Sequence, residues 1–212
     1  MGDVETVRGK SLLLKFEGEK CIHSRQCVLS RPDVFMPNVA GEWIHPENAT
    51  PEEIAALAVS CPSGAITYER TDGGKDESAP LVNLARIREH GPIAFHADLE
   101  IEGKPAAFRA TLCRCGASKN KPYCDSSHVA AGFSATGEPP IIESQPLGAR
   151  NGKVTVTPAK NGPLLVQGNL EIVSGTGHTV NRVTKTALCR CGQSSKKPYC
   201  DGTHAKVGFT TE

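Results

Sequence analysis

A chain of 212 residues has room for one or two ordinary domains, or three small ones, and an aromatic content of 5% leaves each core thin. The net charge of +1 offers no footprint for nucleic acid. No apolar run approaches the ~18 residues of a membrane span, and the charged, mixed N-terminal stretch does not read as a secretory signal. Nine cysteines cannot all pair as disulfides. They fall into three triplets: Cys21, Cys27 and Cys61; Cys113, Cys115 and Cys124; Cys189, Cys191 and Cys200. This usage predicts a cytoplasmic, reducing location, where thiolates stay free to bind metal. No Ser-His-Asp order, phosphate loop or carboxylate pair points to an enzyme.

The first 70 residues read as a small α+β domain. Leu12–Phe16, Glu42–Ile44 and Gly64–Tyr68 are β-prone. Between them a helix opens at Pro51, with Thr50 as N-cap and Glu53 completing a capping box. Ile54, Leu57 and Ala58 give that helix an apolar face. Cys21 and Cys27 are spaced C-x5-C, and Cys61-Pro62 follows far downstream. His23 stands beside Cys21, and Ser24 midway between the first two thiols. Residues 71–80 are polar, with two glycines and a closing proline, and read as a linker.

Residues 81–142 and 143–212 are two copies of one unit. Cys113, Cys115, Cys124 and His128 follow the spacing C-x-C-x8-C-x3-H, repeated 76 residues later (189 − 113) by Cys189, Cys191, Cys200 and His204. Upstream, Gly91-Pro92 and Leu99-Glu100-Ile101 recur at an offset of 71 as Gly162-Pro163 and Leu170-Glu171-Ile172. The difference of five predicts a longer hairpin loop around Ser174–His178. Val154–Thr157 and Leu164–Val166 read as strands around a turn at Asn161-Gly162-Pro163. A short helix is expected after Pro122 and Pro198, with Asp125 and Asp201 as N-caps and Gly132 and Gly208 as stops. Cys124 and His128, one helical turn apart, would then share a face, as would Cys200 and His204. Phe133 and Phe209 are expected to anchor the core, and Tyr123 and Tyr199 to pack. Lys119, Lys121, Lys196 and Lys197 read as a solvated face or a steering patch for an acidic redox partner. His45, His90, His96 and His178 lie outside any ligand spacing.

Three cysteines and a histidine form an ordinary structural zinc set. The tight C-x-C pair and the small residues crowding each ligand loop favour a bulkier iron–sulfur core approached by backbone.

The second motif, through Ser194, Pro198, Tyr199 and Cys200-Asp201-Gly202-Thr203-His204, resembles the CDGSH iron–sulfur family throughout. The first departs from it only at Ser126, which replaces a glycine. The resemblance covers residues 81–212 and implies one [2Fe–2S] cluster on each Cys3His set. It also implies an intramolecular, pseudo-twofold version of the dimer that one-motif members form, so the chain is expected to be monomeric. The N-terminal segment resembles a divergent single-cluster ferredoxin, with Ser24 at the replaced cysteine and Cys61-Pro62 as the closing step. That implies a third site on Cys21, Cys27 and Cys61, holding [3Fe–4S], or [4Fe–4S] with one other ligand; a ferredoxin-like fold that has lost its cluster is the alternative. The fold class expected is therefore α+β: a ferredoxin-like domain followed by two β-rich repeats. One-electron transfer to a redox partner, or cluster delivery to an apo-protein, are the activities implied; neither a membrane nor nucleic acid is an expected partner.

Overall fold

The computed structural model describes residues 3–211. The chain divides into two compact units, Met1–Ser78 and Ala79–Glu212.

In the first unit, β1 (Val4–Arg8), β2 (Leu12–Glu17) and β3 (Ile66–Arg70) form an antiparallel sheet in the order β1-β2-β3. Strand β2 alternates, burying Leu12 and Leu14 against Ile54, Leu57 and Ala58 of helix α2 (Pro51–Ser60). Each leucine or isoleucine among them, removed from water, contributes ~1.5–3 kcal/mol. The capping box forms: the Glu53 amide donates to Thr50 Oγ1 (3.3 Å), and Glu53 Oε2 accepts from the Thr50 amide (2.8 Å). A one-turn helix, α1 (Gln26–Ser30), precedes it. The expected strand at Glu42–Ile44 does not form. Only Ile44 makes a ladder contact, a single bridge to Phe35, because the segment is short and ends at Pro46. Residues 71–78 belong to this unit, where Asp72 and Asp76 accept hydrogen bonds from Arg70.

The second unit is one eight-stranded sheet. The first repeat supplies β4 (Leu84–Ile87), β5 (Ile93–His96), β6 (Asp98–Ile101), β7 (Lys104–Pro105) and β8 (Arg109–Leu112). The second supplies β9 (Lys153–Pro158), β10 (Leu164–Val173) and β11 (Thr179–Leu188). The sheet runs β7-β6-β9-β10-β4-β5-β8, with β11 also paired to β10.

The repeats do not sit side by side; they exchange strands. β6 runs parallel to β9, and β10 runs parallel to β4. The two exchanges share one register: Glu100 pairs with Thr155, and Glu171 with Leu84, both members shifted by the same 71 residues. Strand β10 does the work of both β5 and β6, bending between Gln167 and Leu170. Gly168 sits in that bend with φ +120°, and a Cβ there would press into the carbonyl of Lys153. Buried Ile87, Ile93, Phe95, Leu99, Leu112, Leu164, Leu170, Ile172 and Leu188 join both repeats in one core. The longer loop expected near Ser174–His178 is the β10–β11 turn, closed by the Ser174 amide donating to His178 O.

Candidate metal centres

Each Cys3His set hangs from the end of a strand. β8 runs into Cys113, whose amide donates to Pro122 O (2.8 Å), while the Cys124 amide reaches back to Thr111 O (2.9 Å). The ten-residue loop is thus clipped shut and Cys124 is held beside the strand end. In the second repeat, Cys189 donates to Pro198 O and Cys200 to Ala187 O at the same distances. The Ser118 hydroxyl donates to Tyr123 O, as Ser194 does to Tyr199 O (both 2.7 Å). Tyr123 and Tyr199 pack on the core, as expected.

Helices α3 (Ser127–Ala130) and α4 (Thr203–Lys206) carry the histidines. The aspartates before them are not the N-caps; Ser126 and Gly202 take that position, in left-handed backbone. Asp125 and Asp201 instead clamp two segments at once. Oδ1 accepts from the Ser127 or Thr203 amide (3.0 Å), and Oδ2 from the Lys119 or Ser195 amide (2.8 Å). Burial would raise the Asp125 carboxyl, but these bonds outweigh it and hold it down at about 2. Hydrogen bonds from Thr203 and Ser195 hold Asp201 low. Ser126 accepts φ +68° where Gly202 has φ +85°, so the first motif keeps the backbone shape of the second despite its serine.

The four donors of each set form two close pairs. Cys113 Sγ lies 3.7 Å from Cys115 Sγ, and Cys124 Sγ lies 3.5 Å from His128 Nδ1. Cys189 and Cys191 are 3.8 Å apart, and Cys200 and His204 Nδ1 3.4 Å. Two sulfurs on one tetrahedral ion at ~2.3 Å stand ~3.8 Å apart, and a sulfur and a nitrogen slightly closer. Each pair therefore fits one iron. Among the described residues no three such side chains converge as a single ion would need. Two donor pairs of this spacing leave room for a centre with more than one metal ion. Amides also point at sulfur: Ala117 N to Cys115 and Ser126 N to Cys124, Gln193 N to Cys191 and Gly202 N to Cys200, at 3.4–3.5 Å. Such bonds stabilise thiolate.

Burial pushes the Cys124 thiol up to about 11 and raises Cys189. Cys113 is lowered because the Cys115 thiol bonds to its sulfur, and Cys115 is raised for the same reason, so the pair shares one proton. Burial pulls the His128 imidazole down, keeping it neutral and able to ligate. A metal entering either site must displace thiol protons.

In the first unit Cys21, Cys27 and Cys61 line one cavity of ≈ 280 Å³, with His23, Ser24, Ser63, Phe16 and Trp43. Left-handed turns at His23 and Arg25 wrap the chain round it. The His23 amide donates to Cys21 Sγ (3.4 Å), and its Nδ1 stands 4.0 Å from that sulfur. Burial raises the Cys21 and Cys27 thiols, and the charge of the neighbouring Cys61 raises both further. Three thiols around one apolar cavity fit a cluster of more than one iron. Ser24 lines the same cavity.

A family profile described as an iron-binding zinc finger of CDGSH type matches residues 87–129 and again 161–205. A CDGSH iron-sulfur domain-containing protein 1 from Mus musculus is 32% identical over 82 residues, 37% of this chain and 71% of that protein. The chain belongs to the CDGSH iron–sulfur family. The Rattus norvegicus counterpart matches to the same extent, and CDGSH iron-sulfur domain-containing protein 2 homolog A of Branchiostoma floridae is 30% identical over 98 residues. The chain spans 64% of the length of that Branchiostoma relative. A second profile, a divergent 4Fe-4S mono-cluster, matches residues 7–71. No solved structure gives a match. This CDGSH chain is thus an iron–sulfur-binding, β-rich α/β protein with two CDGSH repeats and an N-terminal unit. Among its described residues no helix is long and apolar enough to cross a membrane.

Several features of these CDGSH repeats escaped sequence reading. Phe133 and Phe209 are not core anchors; each ring lies beneath the guanidinium of Arg114 or Arg190. Both arginines are almost fully buried, and the only hint was their position between two cysteines in each copy. Lys121 and Lys197 are not part of a solvated face: each ammonium donates to a loop carbonyl, Ser118 O or Ser194 O. Lys119 and Lys196 are exposed. His45, His90, His96 and His178 lie outside the three donor sets; His45 and His90 face Glu47 and Glu89.

Proposed function

We propose that each Cys3His set holds one [2Fe–2S] cluster, that Cys21, Cys27 and Cys61 hold a third cluster of [3Fe–4S] or [4Fe–4S] type in a ferredoxin-like domain, and that the chain is a one-electron carrier. The observation that supports this most is the division of each quartet into two donor pairs of one-iron spacing. The reciprocal register of β6–β9 and β10–β4 supports a pseudo-twofold pairing of the repeats, which makes the chain a monomer where one-motif members pair.

A bound [2Fe–2S] cluster supplies a one-electron redox step. In the first site Cys113 and Cys124 are buried, 1% and 3% exposed, while Cys115 is partly exposed. His128 and His204 sit at the outer, partly exposed end. Ligation through Nδ1 leaves Nε2 free to take or release a proton. Three thiolates and one neutral imidazole carry one negative charge less than four thiolates, so the site favours an added electron more. Gaining that electron favours protonation at Nε2, which couples the two. Exposed Lys119 and Lys196 would steer an acidic redox partner, and the free thiols suit the cytoplasm.

Cluster delivery to an apo-protein is the second reading. It is favoured by the second site, where Cys189 and Cys191 are buried but Cys200 and His204 are partly exposed, so that one end can open first. Iron, sulfide and zinc analysis of anaerobically purified protein, with its visible spectrum, tests the whole proposal. Seven or eight irons per chain are expected. Four would leave the N-terminal site without its cluster, and two or fewer, or stoichiometric zinc, would defeat the duplicated-cluster reading. Cluster transfer to an apo-ferredoxin separates delivery from electron carriage.

A further inference from the structure

The whole-chain charge of +1 conceals two units of opposite sign. Residues 79–212 carry 16 lysines and arginines against 10 aspartates and glutamates, a net of +6. Residues 1–78 carry 8 against 13, a net of −5. Within the second unit the positive excess is not shared evenly between the two donor sets.

Three segments frame the second site: the β9–β10 turn, the ligand loop and α4. Arg190 ties the turn to the ligand loop by donating to Ala159 O and Gly162 O. Asn161 ties it to the chain after α4, its Oδ1 accepting from the Thr211 amide (3.0 Å). The turn carries Lys160, the loop Lys196 and the helix Lys206, all exposed. At the matching places of the first repeat stand Glu89, Asn120 and Ala130. The first site has two cations of its own, Arg88 and Lys119, where the second has Ala159 and Ser195. The positions that differ therefore leave +1 around the first site and +3 around the second. The second site also shows more of itself. Cys124 is buried but Cys200 is partly exposed, and Asp125 is half-buried but Asp201 is exposed. Next to Lys206, Val207 is 51% exposed and offers apolar surface for a partner to cover. Val129 is exposed in the first repeat, so charge and ligand exposure are what separate the two faces.

We propose that the face around His204, framed by Lys160, Lys196 and Lys206, is the docking surface for an acidic protein, and that the face around His128 is not. The inference deepens the reading of the chain as an iron–sulfur carrier and rests on it. Clustered charge of one sign steers and orients a partner of the other sign. Lys119 adds to the long-range field, while contact is made at the second site. Nucleic acid suits this face less well than an acidic protein. Single-stranded bases need aromatic faces to stack on, but Tyr199 packs on the core and Phe209 lies beneath the Arg190 guanidinium. The exposed cations are lysines, which lack the planar fork that grips phosphate. The two copies thus divide the work: the second meets the partner and the first does not.

The test is calorimetric binding of the full, oxidised chain to two unrelated acidic probes, an oxidised plant-type ferredoxin and a flavodoxin, at low and high salt. Wild-type protein should bind at least one of them, with a Kd that rises steeply with salt. The combined variant Lys160→Gln, Lys196→Gln and Lys206→Gln should bind roughly tenfold more weakly. Arg88→Gln with Lys119→Glu removes the same charge from the first site and should weaken binding by less than about threefold. Both variants should keep the wild-type melting temperature and visible spectrum, so that lost binding is not lost structure. Equal weakening by the two variants overturns the proposal, as does wild-type protein that binds neither probe. Tighter binding of a single-stranded oligonucleotide through the same lysines would assign the face to nucleic acid. Salt-sensitive self-association of the wild-type chain, seen by sedimentation without a probe, would assign it to a second copy. Either result overturns the acidic-protein reading. Failure of the iron–sulfur reading would be seen separately, as purified protein without visible absorption.

Discussion

Gly116 lies against the backbone carbonyl of Cys191, with room for a hydrogen and not for a methyl group. Gly192 makes the same contact with Cys115. The two metal sites of one chain therefore meet backbone to backbone at their cysteine loops. Gly116→Ala must absorb both the overlap and a φ of +85° that alanine rarely adopts. The expected loss is ~2–4 kcal/mol of stability, together with weaker metal retention at both sites rather than at one. Thermal melting and iron content of the variant check this.

The first motif differs from the second at the left-handed residue before the histidine helix. Ser126 holds φ +68° there, at a cost of ~1 kcal/mol relative to glycine. Ser126→Gly should stabilise the protein by roughly that amount and slow metal loss from the first site. Gly202→Ser should do the reverse at the second. Urea unfolding and the rate of bleaching at each site measure the pair.

Replacing the histidines separates ligation from packing. His128→Cys and His204→Cys should each keep a cluster, because thiolate is a good iron ligand. Each should lower the potential of its own cluster and slow its loss in mild acid, since the protonatable nitrogen is gone. Acid bleaching that is unchanged at its own site would show that the substituted histidine is not a ligand.

A titratable imidazole on each site also predicts a slope. Between the histidine pKa of the oxidised state and that of the reduced state, one electron should bring one proton. The potential of the two C-terminal clusters should then fall by ~59 mV per pH unit. An unperturbed histidine titrates near ~6.5, so the sloping region should include neutral pH. A cluster on Cys21, Cys27 and Cys61, as proposed above, would be held by thiolates and should change much less. A redox titration at several pH values decides; a flat line for the C-terminal clusters would favour delivery over proton-coupled electron transfer.

Much of each metal site was legible in the sequence because its determinants are local. C-x-C and C-x3-H spacings bring donors together within one loop and one helical turn, and Thr50 and Glu53 cap α2 within four residues. What stayed hidden depends on the partner rather than the segment. Nothing in Leu99-Glu100-Ile101 announces that β6 will leave its own repeat for β9. The aspartates before the histidine helices resemble N-caps by position, but a left-handed residue intervenes and turns them into clamps on the cysteine loop. The burial of Arg114 shows only in the fold, where the carbonyls of Gly91, Arg88, Ala135 and Thr136 surround it.

The N-terminal unit carries its own pH dependence. Arg31 grips Asp33 with two hydrogen bonds (2.9 and 2.7 Å), which lower that carboxyl to about 2. An unfolded aspartate titrates near ~3.9. The native state therefore prefers the carboxylate, and the contribution is complete above pH ~4 and lost as pH falls towards 2. Unfolding of this unit, followed through Trp43, the single tryptophan, should weaken across that window. In Asp33→Asn the dependence should be flatter there; an unaltered profile would show that the pair does not stabilise the unit.

Strand exchange also sets a timetable for manufacture. Cys113, Cys115 and Cys124 are synthesised before any residue of β9 or β10, yet β4 and β6 have no partners on one edge until those strands arrive. At ~5–20 residues per second, the earlier thiols wait several seconds as part of an unfinished sheet. The sheet beneath the first donor set is therefore completed only after the second repeat has been made.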